Sequence, residues 1–444
     1  VIGELQVTLH KIVERLSRIY DEVAALAVLS KDAMVKIWNS EPSVTQLWTQ
    51  IEVNLRLAKS SRLWVLTYRT HEPQVLISHA EEILKTADKV SEAELYAPLP
   101  DYASCKPIVD AFDNNVEYYM RNPDRLVNNL ITETLSTGVD RVSGAIMLSR
   151  VERLLVTSKG YGCQEAKTAF KAYARAFKGE FTGHWAHGST HLSLEAVRDV
   201  GRRAGHYATI TKNRVDFTPG EYDVVLSPLV VSNLIEYLAW MASALMVFMG
   251  FSMFAKYKPG DNVSVESFSL FDVPRDTTLP GTAGFDAEGV ETLNKPIIEK
   301  GALITLLHNT ATASKMNIKS TGNAGWVNPQ PWNLDIPGGS IREEDIVKEL
   351  RSGVFITNNW YTRLQNYYEG VFSTVSRDAA LLVRNGEIVG HVGRVRIAST
   401  FSKLLKGIKD LSKERFSVWW WEVRTPTRAP FIIISKLQLT RPEA

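Results

Sequence analysis

Apolar residues recur at spacings of three and four at the start of the chain. Leu5, Leu9, Ile12, Leu16 and Ile19 predict an amphipathic helix over residues 1–20. Short alternating runs at 22–30, 33–39 and 62–68, separated by polar turns, predict strands. Helical spacing returns at Ile83, Leu84, Ala87 and Val90 and again over 107–131, with the Pro-rich connector YAPLPDYASCKP between them. Residues 145–157 predict a strand, closed by the turn Ser158-Lys159-Gly160-Tyr161-Gly162. Residues 164–178 support two readings. Their Ala and Lys content and the spacing of Ala169, Tyr173 and Phe177 favour a helix, whereas Phe170, Ala172, Ala174 and Ala176 share one face of a strand.

The chain turns polar over 211–223, TKNRVDFTPGEYD, before the apolar VVLSP, and this sets a domain boundary near residue 218. Two domains, 1–218 and 219–444, are expected. Short β-like runs fill the second, at 264–272, 302–308, 353–358, 379–383, 387–392, 418–424 and 431–439, with one helix at 400–413. Residues 237–254, YLAWMASALMVFMGFSMF, stand apart because they carry no charge. That length is near the lower limit for crossing a bilayer. The run is rich in Ala, Ser and Gly and has no counterpart elsewhere, so it predicts one buried helix over 232–254, covered on all sides by protein, and no membrane span.

Composition narrows the class. With 444 residues, 45% hydrophobic and 23% charged, the chain is no disordered tail, collagen or disulfide-stapled miniprotein. Lys and Arg number 51 against 49 Asp and Glu, and a net +2 predicts neither a nucleic-acid nor an anionic-membrane partner. Cys105 and Cys163 are too few for a disulfide framework or a Cys-rich zinc site and fit a reducing compartment. No basic leader followed by an apolar stretch and a cleavage site is evident, so a cytoplasmic location is expected.

Candidate chemistry is sparse. His184, His187 and His191 lie in GHWAHGSTH, with His206 beyond, a density that suits zinc. Gly183, Gly188 and Ser189 predict a solvated loop there, without a rigid scaffold and without a carboxylate or thiol at ligand spacing. The phosphate loop, the dinucleotide fingerprint, the nucleophile elbow and H-E-x-x-H are all missing. Trp419, Trp420 and Trp421 predict core or interface packing, with aromatic stacking of a peptide or nucleic acid as the functional alternative. Asn385-Gly386 and Lys300-Gly301 predict tight hairpins. Asp286 and Glu288, in GFDAEGV, are expected to stabilise a turn, with peptide contact as the functional alternative. Asn323, beside Gly322 in KSTGNAG, suits a bend that is either structural or a peptide contact.

The order of these phrases resembles the TldD/PmbA family of peptidase-related proteins. GFDAEGV (284–290) precedes KPIIEKGALITLLHNTATASK (295–315) and KSTGNAG (319–325). GVFITN (353–358), GVFSTVSRDAALLVRNGEI (370–388) and VRIASTFSKLLKGI (395–408) follow. The resemblance is continuous from about residue 222 to 410 and looser back through YAPLPD and the 158–162 turn. It implies an α+β fold, an N-terminal helix-plus-sheet domain and a β-rich C-terminal domain around the apolar helix. It also implies strands after the 158–162 turn, which selects strand for 164–178.

TldD-type members carry a helix reading roughly vLLHEavgH, whose histidines bind zinc and whose glutamate activates water, with a further cysteine near the C-terminus. Here the stretch after VVLSP sets Ile235 and Trp240 at the histidine positions and Glu236 at the glutamate, and residues 391–444 hold no cysteine. The resemblance therefore implies a PmbA/TldE-like member without the zinc motif: no catalytic residues and no metal in this chain, and zinc in a TldD-like catalytic subunit. Self-dimerisation is the other pairing, and the substrate would be a peptide or unfolded polypeptide. Asp286, Glu288 and Asn323 remain the candidate binding residues. Two alternatives stand beside this reading. One is a metallopeptidase in its own right that uses His184, His187, His191 or His308; the other is a homodimeric peptide-binding scaffold.

Overall fold

The first apolar stripe forms the helix Ile2–Leu16, which buries Leu5, Leu9, Ile12, Val13 and Leu16. The computed structural model, which describes residues 2–85, 89–210 and 213–442, is α+β throughout. The two runs at 22–30 and 33–39 are one strand, β1 (Glu22–Trp38). It pairs along its whole length with β2 (Glu41–Lys59), whose polar first half concealed it from pattern reading. With β3 (Arg62–Arg69), β4 (Arg141–Thr157), β5 (Gly162–Lys178) and β6 (Phe181–Ser189) they make an antiparallel sheet in the order β3-β2-β1-β4-β5-β6. In β5 the alternation prevails over helix propensity, because Phe170, Ala172, Ala174 and Ala176 all enter the core. The expected helix at 107–131 is two, Asn114–Arg121 and Asp124–Leu135, interrupted at Pro123, which has no N–H to continue the first. The helix at 83–90 lies earlier, at Val75–Leu84, and Ala87 falls outside the described residues. Cys105 and Cys163, whose number predicted no disulfide framework, are joined to each other and tie the connector to β5 with a Cα–Cα distance of 5.4 Å.

The histidine-rich run is a correction to the sequence reading. GHWAHGS is strand β6, not a solvated loop. Gly183 and Gly188 serve close packing: a Cβ on Gly183 would stand 2.2 Å from the Ala204 carbonyl oxygen of the helix Leu194–Thr209, and one on Gly188 2.5 Å from the Trp419 side chain. His184 is buried beneath Trp420, with ring centroids 4.2 Å apart.

In the second half the strands Gly220–Leu226 and Gly353–Ile356 run parallel at the centre of a nine-stranded sheet. The outer hairpin Ala380–Arg384/Glu387–His391 turns at Asn385 and Gly386, with φ of 51° and 77°. Lys300 and Gly301, at 46° and 80°, do the same between Lys295–Glu299 and Ala302–Leu303 in a smaller six-stranded sheet. Both turns have the two positive φ angles of the type I′ geometry that their sequences predicted. The run at 418–424 contains a reversal, since Phe416–Trp420 and Val423–Ala429 are separate, paired strands. The late helix stops at Lys406, and Ile408–Leu411 is a strand.

The uncharged run is not one helix. Pro228–Met241 ends where the Ala242 carbonyl accepts the Leu307 N–H and the Ala244 N–H donates to the Leu307 carbonyl. This β-type bridge cannot coexist with continued helical hydrogen bonding. Ala244–Phe248 forms a short second helix and Met253–Lys256 a 3₁₀ turn. Burial is complete at Ala242 and Ala244, but Phe248, Met249 and Phe251 reach the surface. No helix among the described residues is long and apolar enough to cross a membrane.

Candidate functional site

Helix Pro228–Met241 begins with Ser227, whose hydroxyl accepts the Leu229 N–H, and Pro228 in its first turn, a strong N-terminal signal. Its three marked positions separate in space. Ile235 is 2% exposed and packs into the apolar core of the second half. Glu236 and Trp240, one turn apart, face a cleft of about 520 Å³ whose walls include Tyr237, Thr362, Arg363, Tyr367, Trp421, Glu422 and Arg424. The Trp240 and Tyr367 rings lie 5.7 Å apart.

The Glu236 carboxylate is occupied by the chain itself. One oxygen accepts the Thr425 N–H at 2.7 Å and the Thr425 hydroxyl at 3.1 Å, and the other accepts the Arg424 N–H at 3.2 Å. Burial pushes its pKa above the ordinary glutamate value, against the lowering effect of these donors. Glu236 thus pins the helix to the strand Val423–Ala429. Beneath it Asn233 donates to the Glu422 carbonyl at 2.7 Å, and its side-chain oxygen accepts from Asn359 at 2.8 Å and Thr362 at 2.6 Å. A zinc ion does not fit here. Isoleucine and tryptophan offer no lone pair to a metal, and the single acid is already engaged. Replacing Glu236 with Ala would leave two backbone donors without their acceptor. We expect a loss of about 1–2 kcal/mol in urea unfolding, with Glu236→Gln milder because its amide oxygen can accept one of them.

Asp286, Glu288 and Asn323 stand elsewhere, inside a buried polar network. Asp286 accepts the N–H groups of Glu288 (2.9 Å), Val290 (3.0 Å) and Ala324 (2.9 Å). Burial, reinforced by the Glu288 charge, raises its pKa nonetheless. Glu288 accepts the Thr310 N–H at 2.9 Å, joining GFDAEGV to the capped helix Thr310–Lys315. Asn323 donates to Asp272 at 2.6 Å and to the Gln330 carbonyl at 2.9 Å, and Thr321 donates to its oxygen at 2.8 Å. Arg153 of β4 donates to the Phe285 carbonyl at 3.0 Å while paired with Glu165 of β5, and so fastens this network to the first sheet. The phrases that carried the family resemblance are therefore largely internal connections, and the three candidate residues direct their polar atoms at the chain.

The histidines do not converge. His184 and His187, three apart on a strand, point to opposite faces, and His308 lies against Thr312 in the second half. No group of three or more His, Cys, Asp or Glu able to hold a metal occurs among the described residues. Sequence reading missed Tyr367, Arg363 and Arg424 as cleft residues and favoured packing for Trp421, which also lines the cleft. They come from two segments far apart in the chain, 363–367 and 421–424, and only Trp421 belongs to a run that the sequence marks, the three successive tryptophans.

The profile of the PmbA/TldA metallopeptidase C-terminal domain matches residues 219–441. A protein of Methanothermobacter thermautotrophicus named Metalloprotease is 24% identical over 229 residues, 50% of each chain, so this chain spans about half the length of that relative. A metalloprotease of Methanocaldococcus jannaschii is 26% identical over 338 residues, covering 71% of this chain and 72% of its own. The crystal structure of TldE from Thermococcus kodakarensis shares the fold at a TM-score of 0.82 and 20% identity, over 98% of this chain and 100% of that one. With half of its length matched by that profile, the chain belongs to the TldD/PmbA family.

Proposed function

We propose that this chain is the non-catalytic, TldE-type subunit of a heterodimeric zinc peptidase that processes or degrades peptides and unfolded chains. The observation that carries the reading is the state of the helix Pro228–Met241: a core isoleucine, a glutamate that binds backbone, and a tryptophan stand where a zinc peptidase needs two imidazoles and a base. The zinc belongs to a TldD-like partner, and this chain completes the enclosure around that partner's site. The cleft beside Glu236, walled by Trp240, Tyr367 and Trp421, suits side chains of an extended peptide on its way there.

The experiment measures zinc and activity for this chain alone and after mixing with a TldD-like chain from the same organism. Alone, it should contain less than a tenth of a zinc per chain and cleave no peptide in a chelator-sensitive way. Mixed, it should form a 1:1 complex with chelator-sensitive turnover. One tightly bound zinc per isolated chain, or turnover without the partner, would overturn the assignment.

A further inference from the structure

Three cavities meet around Arg377 and Trp421. The Glu236 cleft shares Trp421 with a second cavity of about 300 Å³, and this second cavity shares Arg175, Phe177 and Arg377 with a third. The middle cavity has an unusual composition. Its floor is one face of the first sheet, where Lys36, Tyr173, Arg175 and His184 stand on neighbouring strands, and Arg377, Trp420 and Trp421 close it from the second half. Three cations and several aromatic rings line it, without a single carboxylate.

Polar groups here lack partners. Both ring nitrogens of His184 and the Trp420 indole N–H are buried without a hydrogen bond, and each residue is only 2% exposed. Buried donors in that state are uncommon and costly. Arg175 is paired with Asp378 at 2.9 Å, a residue that lines the third cavity and not this one. Arg377 has no carboxylate at ion-pair distance among the described residues; its guanidinium lies over the rings of Trp360 (5.2 Å) and Trp421 (5.8 Å). Unanswered positive charge, orphaned N–H donors and flat apolar walls together describe a receptor for an acceptor-rich anion attached to an apolar body.

We propose that this cavity binds a peptide carboxylate, with the carboxylate on Arg377 and the adjoining apolar side chain against Trp420, Trp421 and Tyr173. The peptide as the source rests on the function proposed above. The shared Trp421 would let a chain anchored here run on into the Glu236 cleft. A free C-terminus and an acidic side chain offer the same chemistry.

Tryptophan fluorescence and calorimetry on the isolated chain test this without a catalytic partner, so the result is separate from the fate of the heterodimer assignment. The probes are acetyl-Ala-Ala-Phe with a free carboxylate, its C-terminal amide, acetyl-Ala-Glu-Phe-amide, and inorganic phosphate. We expect the free acid to bind at least tenfold more tightly than the amide. Arg377→Gln should erase that preference, and Trp421→Ala, at a half-exposed position, should weaken both ligands while the fold persists. Equal binding of the acid and the glutamate peptide supports the carboxylate site and assigns it to acidic side chains as well as termini. Equal affinity for acid and amide, a preference that survives Arg377→Gln, or phosphate binding as tightly as the peptide would overturn it.

Discussion

Ala242→Arg should lower the stability of the folded chain by roughly 3–5 kcal/mol, a large share of the ~5–15 kcal/mol that holds a typical domain folded. Ala242 is 0% exposed and sits where the first apolar helix gives way to the bridge with Leu307. Ala242 belongs to the apolar core of the second half, so a guanidinium there would enter a hydrophobic environment and its bulk would displace the surrounding side chains. Met249→Arg is the informative control. It lies in the same uncharged run, yet Met249 is 55% exposed, so the change should stay within about 0.5 kcal/mol. Urea titration of both variants reads the difference. A continuous helix buried on every side would make the two equally damaging, and equal loss would contradict the broken path described here.

The second large effect is acid sensitivity at His184. Burial pushes this imidazole down to a pKa of about 3, whereas in the unfolded chain it titrates near the ordinary 6.5. Between those values the unfolded state carries a proton that the folded state refuses. Stability from this group is therefore full above pH 6.5 and is lost as pH falls toward 3. From pH 7.5 to 4.5 the loss amounts to about 3 kcal/mol, set almost wholly by the unfolded value. Raised carboxyls such as Asp286 contribute with the opposite sign, so the parent's pH profile alone does not isolate the histidine. The difference between His184→Phe and parent does. Phenylalanine fits against Trp420 and forfeits no hydrogen bond, because His184 makes none. The variant should gain about 3 kcal/mol relative to parent over that pH range. A pH-independent difference would show that His184 is accessible to protons in the folded chain.

The local outcomes were legible in the sequence. The stripe Leu5–Leu9–Ile12–Leu16 formed its helix, and Asn385-Gly386 and Lys300-Gly301 formed their turns. Each depends on neighbours within a few residues, where φ preference and side-chain period act directly. At Glu236 the sequence showed only that Ile235 and Trp240 carry no metal-binding atom, and the backbone N–H groups that its carboxylate accepts came from the fold.

What tertiary structure decided was everything that depends on a distant partner. GHWAHGS reads as a loop because its glycines signal flexibility. In the fold those glycines are where the helix Leu194–Thr209 and Trp419 come too close for any side chain. The uncharged run reads as one buried helix, but Leu307, more than sixty residues on, breaks it by offering a better hydrogen-bond partner at Ala242 and Ala244. Asp286, Glu288 and Asn323 left turn stabilisation and peptide contact open in the sequence, and the fold supplies their hydrogen-bond partners from Ala324, Thr310 and Asp272. Arg377 and His184, nearly two hundred residues apart, share a cavity that no periodicity encodes. Sequence by itself determined the local turns, the first helix stripe and which side chains carry metal-binding atoms. Only the tertiary structure decided which polar groups are already satisfied, because burial removes water as the alternative partner and leaves whatever the rest of the chain brings within about 3 Å.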